Sequence, residues 1–257
     1  MIFIEEKEWN ELVFKPQGEL KKPKYKKIEI FKDSWEKMVV QEPFANASLA
    51  TKKDLEETVE RNNNATDEEK RQYINCDEDA CYYIKEYMDE NDLEYSDDTI
   101  EYLENQCVPI IRHYKNKFNR PRPYQIAELY KIPMPKRFKT GTAKTPSYPS
   151  GHTVQPFFVA EYYAKLYPEH RKGLMKGAEI SGFGRVIAGL HFPSDYVCGK
   201  SIAQQLISHL NIDKLEEDAP MNATGSAVQT NVPIVRKRDK RYEPSKIFDL
   251  IKRNAKI

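Results

Sequence analysis

The 257-residue sequence has no long hydrophobic run and almost no net charge. A helix that crosses a bilayer needs roughly 18 consecutive apolar residues, and the apolar runs here, such as residues 157–160, are far shorter. Lysine and arginine total 41 against 40 aspartate and glutamate residues, so no overall field attracts nucleic acid or an anionic membrane. Any anion that this chain binds must therefore be held by a local cluster of cations.

Cysteine is also scarce, with 4 residues in the chain. None of them forms a CxxC pair or lies near histidines that would complete a zinc site, so we expect free thiols in a reducing compartment. No cluster of carboxylates indicates a magnesium site. Residues 1–20 lack the basic and apolar segments of a secretory signal. Together these absences predict a cytoplasmic protein with neither a resident metal nor a cofactor.

Helical periodicity is the main secondary-structure signal, and strand patterns are sparse. It is clearest over 97–118, where apolar side chains fall on one broad stripe. The stripe consists of Ile100, Leu103, Cys107, Ile110, Ile111, Tyr114 and Phe118. We predict an all-α helical bundle. Its parts are an N-terminal arm over 1–32, one helical domain over 33–212 with a motif core at 97–210, and a C-terminal tail over 213–257.

Capping residues and prolines mark the ends of further helices. Predicted helices span about 34–41, 52–61 after a Thr51 cap, 76–91, 151–166, 168–190 and 194–210, the last with Ser194 as its cap. Pro109 is expected to kink the 97–118 helix or to split it in two, because proline removes a backbone hydrogen bond. The prolines at 121 and 123 are expected to stop that helix.

Three short blocks, 115–123, 149–152 and 185–195, bring together cations, histidines and a helix start. In the first block Lys115 lies near a helix end. Arg122 follows on a turn that proline stiffens, which suits a guanidinium that must meet an anion in a fixed geometry.

The second block supplies a helix N-terminus. Ser150 and Gly151 stand where backbone N–H groups and the helix dipole favour an anion, and glycine lets a ligand approach the backbone closely. His152 follows in the first turn of the same helix.

The third block combines Arg185, His191 and Asp195. Asp195 can reach back to one imidazole nitrogen and fix the tautomer, which leaves the other nitrogen as a nucleophile. Three fixed cations suit the three equatorial oxygens of a phosphoryl group in its transition state. One imidazole can then attack phosphorus while a second protonates the leaving group.

With these residues in place, the chain resembles the type 2 phosphatidic-acid phosphatase and vanadium haloperoxidase superfamily, which includes bacterial class A acid phosphatases. The family pattern is K-x6-R-P, then P-S-G-H, then S-R-x5-H-x3-D, and it covers residues 115–195 here. The resemblance implies a helical bundle and metal-independent hydrolysis of phosphate monoesters through a phosphohistidine. It implies phosphate binding by Lys115, Arg122, Ser150, Gly151 and Arg185, with His152 as acid, His191 as nucleophile and Asp195 as the residue that orients it.

The chain departs from the family pattern at one motif position. Gly184 replaces the serine before Arg185, which predicts weaker anion binding through a missing hydroxyl. The secretory signal typical of the bacterial acid phosphatases is also not visible.

Three alternatives remain open from the sequence. A vanadium haloperoxidase would hold vanadate, a phosphate mimic, with the same residues and use His191 as a ligand. A lipid phosphate phosphatase would act at an interface. A phosphate-binding protein without activity would need only the cations, and the two histidines argue against it.

The expected partner is a small phosphorylated substrate, with no nucleic acid and no membrane span, and a homo-oligomer is left open. Lys117 and Arg120 are expected to face solvent. No catalytic role is expected for His113, His170 or His209. The aromatic residues at 157, 158, 162 and 163 are expected in the core.

Overall fold

The structure, a computed structural model, describes residues 11–15, 28, 30–134 and 138–211. Within these ranges it is helical, without strands, and an isolated bridge joins Phe31 to Leu210. The α-helices are α1 (Leu49–Asn63), α2 (Asp67–Glu78), α3 (Tyr82–Glu90), α4 (Asp97–Phe118), α5 (Pro123–Ile126), α6 (Gly151–Leu166), α7 (Arg171–Ile187) and α8 (Pro193–Ser208). Short 3₁₀ helices span Asp33–Lys37 and Pro168–His170. The predicted all-α fold is confirmed.

The core is built around α6, which is apolar on nearly all sides and almost wholly buried. Helices α4, α7 and α8 pack against it. The predicted core aromatics Phe157, Phe158, Tyr162 and Tyr163 are all buried, which confirms their assignment. Each buried phenylalanine contributes roughly 2 kcal/mol by leaving water.

In α4 the burial of one stripe outweighs the effect of a proline. The predicted stripe is buried from Ile100 to Tyr114 and half-buried at Phe118. Pro109 lies inside the helix without ending it, so the predicted split is wrong. Apolar contacts on both sides of Pro109 hold the helix continuous although one backbone hydrogen bond is lost. The helix ends at Phe118, and its C-cap Asn119 has a φ of 44°, in the left-handed region.

The starts of two helices differ from the prediction by a few residues. Helix α1 begins at Leu49 because Ser48, not Thr51, is the N-cap, and its hydroxyl accepts the Thr51 N–H at 3.1 Å. Helix α8 begins at Pro193, since proline is favoured at the first helical position. Ser194 therefore lies inside this helix rather than capping it.

The remaining differences concern the predicted spans 76–91, 34–41 and 168–190. The first is two helices, because the chain turns between α2 and α3, where the Cys81 N–H donates to Asp79 at 3.0 Å. The second is one short 3₁₀ helix, and the third is a 3₁₀ turn followed by α7.

Described parts of the predicted arm pack against the helical domain. Ile30 is completely buried in the core, and the Phe14 N–H donates to the Asn119 carbonyl at 2.9 Å. The predicted tail, 213–257, lies outside the described residues, so the domain boundaries stay a prediction. All four cysteines are buried free thiols, as predicted. In the described part of the chain no helix combines the length and apolarity needed to cross a membrane.

Candidate active site

One cavity of about 160 Å³ brings the three sequence blocks together. Six of the predicted site residues line it, namely Lys115, Arg122, Gly151, His152, Arg185 and His191. Ser150 and Asp195 lie behind this lining. With Arg112, the described residues of the lining include four cationic side chains and neither aspartate nor glutamate. The cavity therefore favours an anion.

Main-chain carbonyl groups fix two of these cations in place. The Lys115 ammonium donates to carbonyls of the 145–147 segment. Arg122 donates to the same segment at 2.9 and 2.7 Å and to the Leu190 carbonyl at 2.8 Å. Lys115 is 4% exposed and Arg122 is 2% exposed, so both charges are held at the buried end of the cavity.

Hydrogen bonds to both ring nitrogens define the tautomer of His191. Its Nδ1 lies 3.0 Å from Asp195 Oδ2, and its Nε2 lies 2.9 Å from Arg122 Nη1. A carboxylate accepts and a guanidinium donates, so Nδ1 carries the proton and Nε2 holds the lone pair. The His191 N–H also donates to the Arg185 carbonyl at 3.2 Å, across a turn in which Gly189 has a φ of 72°.

Arg120 is buried, so its expected exposure to solvent is wrong, whereas Lys117 is exposed as expected. Arg120 Nη1 donates to Asp195 Oδ1 at 2.7 Å, and Nη2 donates to Asp54 Oδ2 at 3.3 Å. Asp195 is completely buried, which on its own would raise its pKa. Arg120 and His191 outweigh burial and lower the pKa of Asp195 below its usual value.

Asp54 on α1 completes this network behind His191, and sequence reasoning missed it. The Ser194 hydroxyl donates to Asp54 and accepts from Arg120 at 2.7 Å. Burial raises the pKa of Asp54 although Ser194 and Arg120 oppose the shift. Asp54 falls within the predicted 52–61 helix, but no local pattern connects it to the third block.

Arg185 is bound by Asp77 on α2, a second residue that sequence reasoning missed. Arg185 Nη1 donates to Asp77, and Nη2 donates to the Thr142 hydroxyl at 2.9 Å. Asp77 also accepts from the Thr140 hydroxyl at 2.7 Å and from the Gly141 N–H at 3.2 Å. Burial acts to raise the pKa of Asp77, but these donors, Arg185 foremost, lower it below its usual value. An ionised carboxylate therefore competes with any anion for Arg185.

The N-terminus of α6 meets the cavity through Gly151 and His152. The Ser150 N–H instead donates to the Asp195 carbonyl at 3.2 Å, so the predicted contact of Ser150 with an anion stays a prediction for its hydroxyl. The Ser150 hydroxyl is buried without a hydrogen-bond partner among the described residues. A Cβ at Gly151 would lie 3.7 Å from Ile111, an ordinary contact, so packing does not require glycine and its backbone is left open to the cavity.

Gly184 lies away from the lining of this cavity. A Cβ there would face the backbone of Tyr73 on α2 at 4.0 Å, and Gly184 instead lines a separate groove with Phe183 and Tyr196. A serine at this position would therefore point toward α2, so the position of Gly184 does not support the expected loss of a hydroxyl contact with the anion.

The pKa values of three basic residues in the cavity are shifted in the same direction. Burial lowers the pKa values of Lys115, His152 and His191 well below their usual ranges. Nearby guanidinium groups act in the same sense, with Arg122 next to Lys115 and His191, and Arg185 next to His152. A bound anion would oppose all three shifts, because it stabilises the protonated forms.

Comparison with protein families agrees with this arrangement. Residues 105–209 match the family model described as the PAP2 superfamily, and all three motif blocks lie inside the matched region. This match supports the resemblance of the three motifs to the type 2 phosphatidic-acid phosphatase superfamily.

Several curated proteins are similar to the same part of the chain. An acid phosphatase of Zymomonas mobilis is 33% identical over 99 residues, which are 38% of this chain and 37% of that protein. A non-specific acid phosphatase of Providencia stuartii is 31% identical over 103 residues, 39% of this chain and 40% of its own length. A lipid A 1-phosphatase of Rhizobium etli is 42% identical over 62 residues, 23% of this chain and 26% of its own. The chain thus spans less than half the length of these relatives.

Proposed function

We propose that this protein is a phosphatase that hydrolyses phosphate monoesters through a phosphohistidine at His191. The observation that carries this proposal is the cavity itself, where four cationic side chains, and no carboxylate from the described part of the chain, surround an imidazole with its lone pair on Nε2. The acid phosphatases that resemble the chain support the same activity. The phosphoryl oxygens would be held by Lys115, Arg122, Arg185 and the N–H of Gly151.

In the first step His191 Nε2 attacks phosphorus while the bond to the leaving oxygen breaks. Arg122 Nη1 donates to Nε2 at 2.9 Å, so this donor must move to a phosphoryl oxygen before the attack. Asp195 stabilises the positive charge that develops on the imidazole. Arg120 keeps Asp195 ionised. His152 gives its proton to the leaving alkoxide, which departs as an alcohol.

In the second step water attacks the phosphohistidine and the phosphorus–nitrogen bond breaks. His152 now lacks a proton and accepts one from the water. The products are inorganic phosphate and a neutral His191 imidazole. Both catalytic side chains thus return to their starting protonation once the product leaves.

The protonation of His152 is linked to substrate binding. Burial and Arg185 lower the pKa of His152, yet the first step requires its protonated form. A unit charge at 4 Å contributes about 4 kcal/mol at an effective dielectric constant near 20, so a phosphate dianion would raise that pKa substantially. We therefore expect an activity optimum below neutral pH, because His152 must be protonated while His191 is not. A flat profile from about pH 5 to 9 would contradict this assignment of roles.

The main test is the His191→Ala variant, assayed with p-nitrophenyl phosphate in the presence of a metal chelator. We expect the wild type to turn over under these conditions and the variant to lose about 1,000-fold in kcat. His113→Ala, which changes an exposed histidine outside the cavity, should retain activity. Full turnover by His191→Ala would refute the mechanism. Loss of wild-type activity with chelator, restored by added metal, would refute its metal independence.

A second test addresses the general acid. His152→Ala should lose about 100-fold or more with an alkyl phosphate. The loss should be much smaller with p-nitrophenyl phosphate, whose leaving group needs little protonation. Equal losses with both substrates would contradict the role of His152.

Lipid phosphate is a second candidate substrate, favoured by the resemblance to lipid A 1-phosphatases. Phosphatidic acid in detergent micelles, compared with a short water-soluble phosphate monoester, distinguishes the two classes.

Bromide oxidation with vanadate and peroxide, assayed in the same preparation, tests the haloperoxidase alternative. We expect no bromide oxidation.

A further inference from the structure

One face of α4 lines the cavity with residues at positions i, i+3, i+4 and i+7. These residues are Val108, Ile111, Arg112 and Lys115. Arg112 lies three residues before Lys115, which is about 4.5 Å along the helix axis. Lys115 is buried whereas Arg112 is partly exposed. Arg112 therefore stands beside the phosphoryl site, toward the opening of the cavity.

Within the described part of the chain, Arg112 differs from two other arginines around the site in having no carboxylate partner. Arg120 pairs with Asp54 and Asp195, and Arg185 pairs with Asp77. Among residues 11–15, 28, 30–134 and 138–211, no carboxylate lies within 4.0 Å of the Arg112 guanidinium and no side-chain hydrogen bond fixes it. Its charge nevertheless acts inside the site, because Arg112 contributes to lowering the pKa of Lys115 after burial and Arg122.

The lining near Arg112 is suited to a short carbon skeleton. Val108, Ile111 and Ala143 contribute apolar surface to the cavity, and Gln155, Thr142 and Thr145 contribute uncharged polar groups. The Gln155 amide donates to the Glu104 carbonyl at 3.2 Å, which orients this side chain. A leaving group that extends from the phosphoryl site along α4 would thus meet the Arg112 guanidinium within about one helical turn, with Ile111 beside it and Val108 one turn further.

We infer that Arg112 forms a second anion subsite. The preferred substrate is then a phosphate monoester whose leaving group carries a further carboxylate or phosphate. A guanidinium binds either group through two parallel hydrogen bonds. This subsite deepens the proposed phosphatase function and rests on it, because it specifies the substrate class of the same cavity.

Matched substrates test the subsite through a ratio. 3-Phosphoglycerate and glycerol 3-phosphate differ by a carboxylate in place of a hydroxymethyl group. We expect the wild type to favour the former by about tenfold in kcat/KM. Arg112→Met should bring that ratio close to one, and Arg112→Lys should retain part of it. Lys117→Met, which removes an exposed cation of α4 outside the cavity, should keep the wild-type ratio.

A second pair, 1,3-propanediol bisphosphate against 3-hydroxypropyl phosphate, tests the phosphate form of the second anion. For each pair we compare the ratio of the two kcat/KM values in the wild type and in Arg112→Met. The pair whose ratio falls more in the variant identifies the anion that the subsite prefers. If Arg112→Met lowers kcat/KM equally for both members of both pairs, the Arg112 charge only makes the electrostatic potential of the cavity more positive. It then contacts no second anion, and the subsite is refuted.

Binding measurements separate failure of the subsite from failure of the phosphatase proposal. Calorimetry on the His191→Ala variant should show 3-phosphoglycerate binding about tenfold more tightly than glycerol 3-phosphate. Adding Arg112→Met to that variant should remove the difference. Equal affinities before the second change would overturn the subsite even if the wild type is an active phosphatase. A wild type that binds selectively but turns over none of these substrates would instead overturn the phosphatase proposal.

Discussion

The motif-bearing helices and the N-terminal helices contribute to the site in opposite ways. Helices α4 and α6–α8, with their connecting segments, supply the cations and imidazoles that surround the cavity. Helices α1 and α2 supply carboxylates, and each places one against an arginine that lies within the three sequence blocks. Asp54 meets Arg120, and Asp77 meets Arg185. The N-terminal half thus adjusts the charge that the motif residues present to a ligand.

The two carboxylates differ in what they reach. Asp54 does not line the cavity, and its carboxylate is connected to the His191 ring through Arg120 and Asp195. Asp77 instead holds Arg185, which lines the cavity. A change at Asp54 should therefore appear mainly in kcat, and a change at Asp77 mainly in anion affinity.

The largest expected effect comes from Arg120→Met. This change removes the cation that joins Asp54 of the N-terminal helices to Asp195 of the motif-bearing helices. Asp54 and Asp195 would remain as buried carboxylates without their guanidinium partner. Breaking such a pair costs about 3 to 5 kcal/mol, and we expect a loss of this size in the free energy of unfolding, measured by urea denaturation. The kcat of the folded fraction should fall about 100-fold, because His191 loses its fixed orientation.

Two further variants control this prediction. Arg71→Met removes an exposed arginine of α2 that pairs with Glu68 on the surface, and it should change stability little. Arg120→Lys keeps the charge without the planar fork and should recover part of the stability and part of kcat. If Arg120→Met has the same urea midpoint of unfolding as the wild type and keeps full kcat, Arg120 does not connect the N-terminal helices to the motif-bearing helices.

The motif residues could be identified from the sequence because each lies within a few residues of a helix end, where short spacings determine its position. The αL residue and two prolines after α4 place Arg122, and the turn after α7 returns His191 to Arg185. Arg120 was misjudged because an arginine between helices is usually exposed. The available signal was Asp195, since a buried carboxylate in the third block needs a counter-charge.

Asp54 and Asp77 could not be predicted from local pattern. Asp54 lies 66 residues from Arg120, and Asp77 lies 108 residues from Arg185. Both stand on acidic helices in which most carboxylates face solvent. Only the packing of α2 and α1 against α7 and α8 selects these two. Long-range docking of helices, rather than composition, decides which carboxylate enters the site.

Asp54→Asn tests whether the carboxylate behind His191 affects kcat rather than anion affinity. The amide keeps a hydrogen-bond acceptor for Ser194 but removes the charge that faces Arg120. We expect kcat to fall about tenfold, since a hydrogen bond to a charged group contributes about 1.5 kcal/mol or more. The inhibition constant of inorganic phosphate should stay close to the wild-type value. A large change in that constant with an unchanged kcat would reverse the assignment.

Asp77→Asn is the matched change on the cavity side, with a smaller effect. Removing the carboxylate releases Arg185 from a competing anion, so phosphate should bind about threefold more tightly, as expected for one partly exposed ion pair. The measurement is competitive inhibition by inorganic phosphate at neutral pH, where the lowered pKa keeps Asp77 ionised in the wild type. Weaker phosphate binding in the variant would show that Asp77 positions Arg185 rather than competing for it.

The smallest effect is a difference between the two histidines in their response to Asp77. The Asp77 carboxylate partly offsets the effect of burial and Arg185 on the pKa of His152, whereas Arg122 and Asp195 dominate at His191 after burial. In Asp77→Asn the pKa of His152 should therefore fall further while that of His191 changes less, and Asp54→Asn should leave His152 unaffected. Histidine ring NMR titrations, assigned with His152→Gln and His191→Gln, measure both values. Saturating phosphate should raise both pKa values, because a bound anion stabilises each imidazolium. If Asp77→Asn changes the pKa values of His152 and His191 equally, the Asp77 carboxylate affects the whole cavity and not only the part next to Arg185.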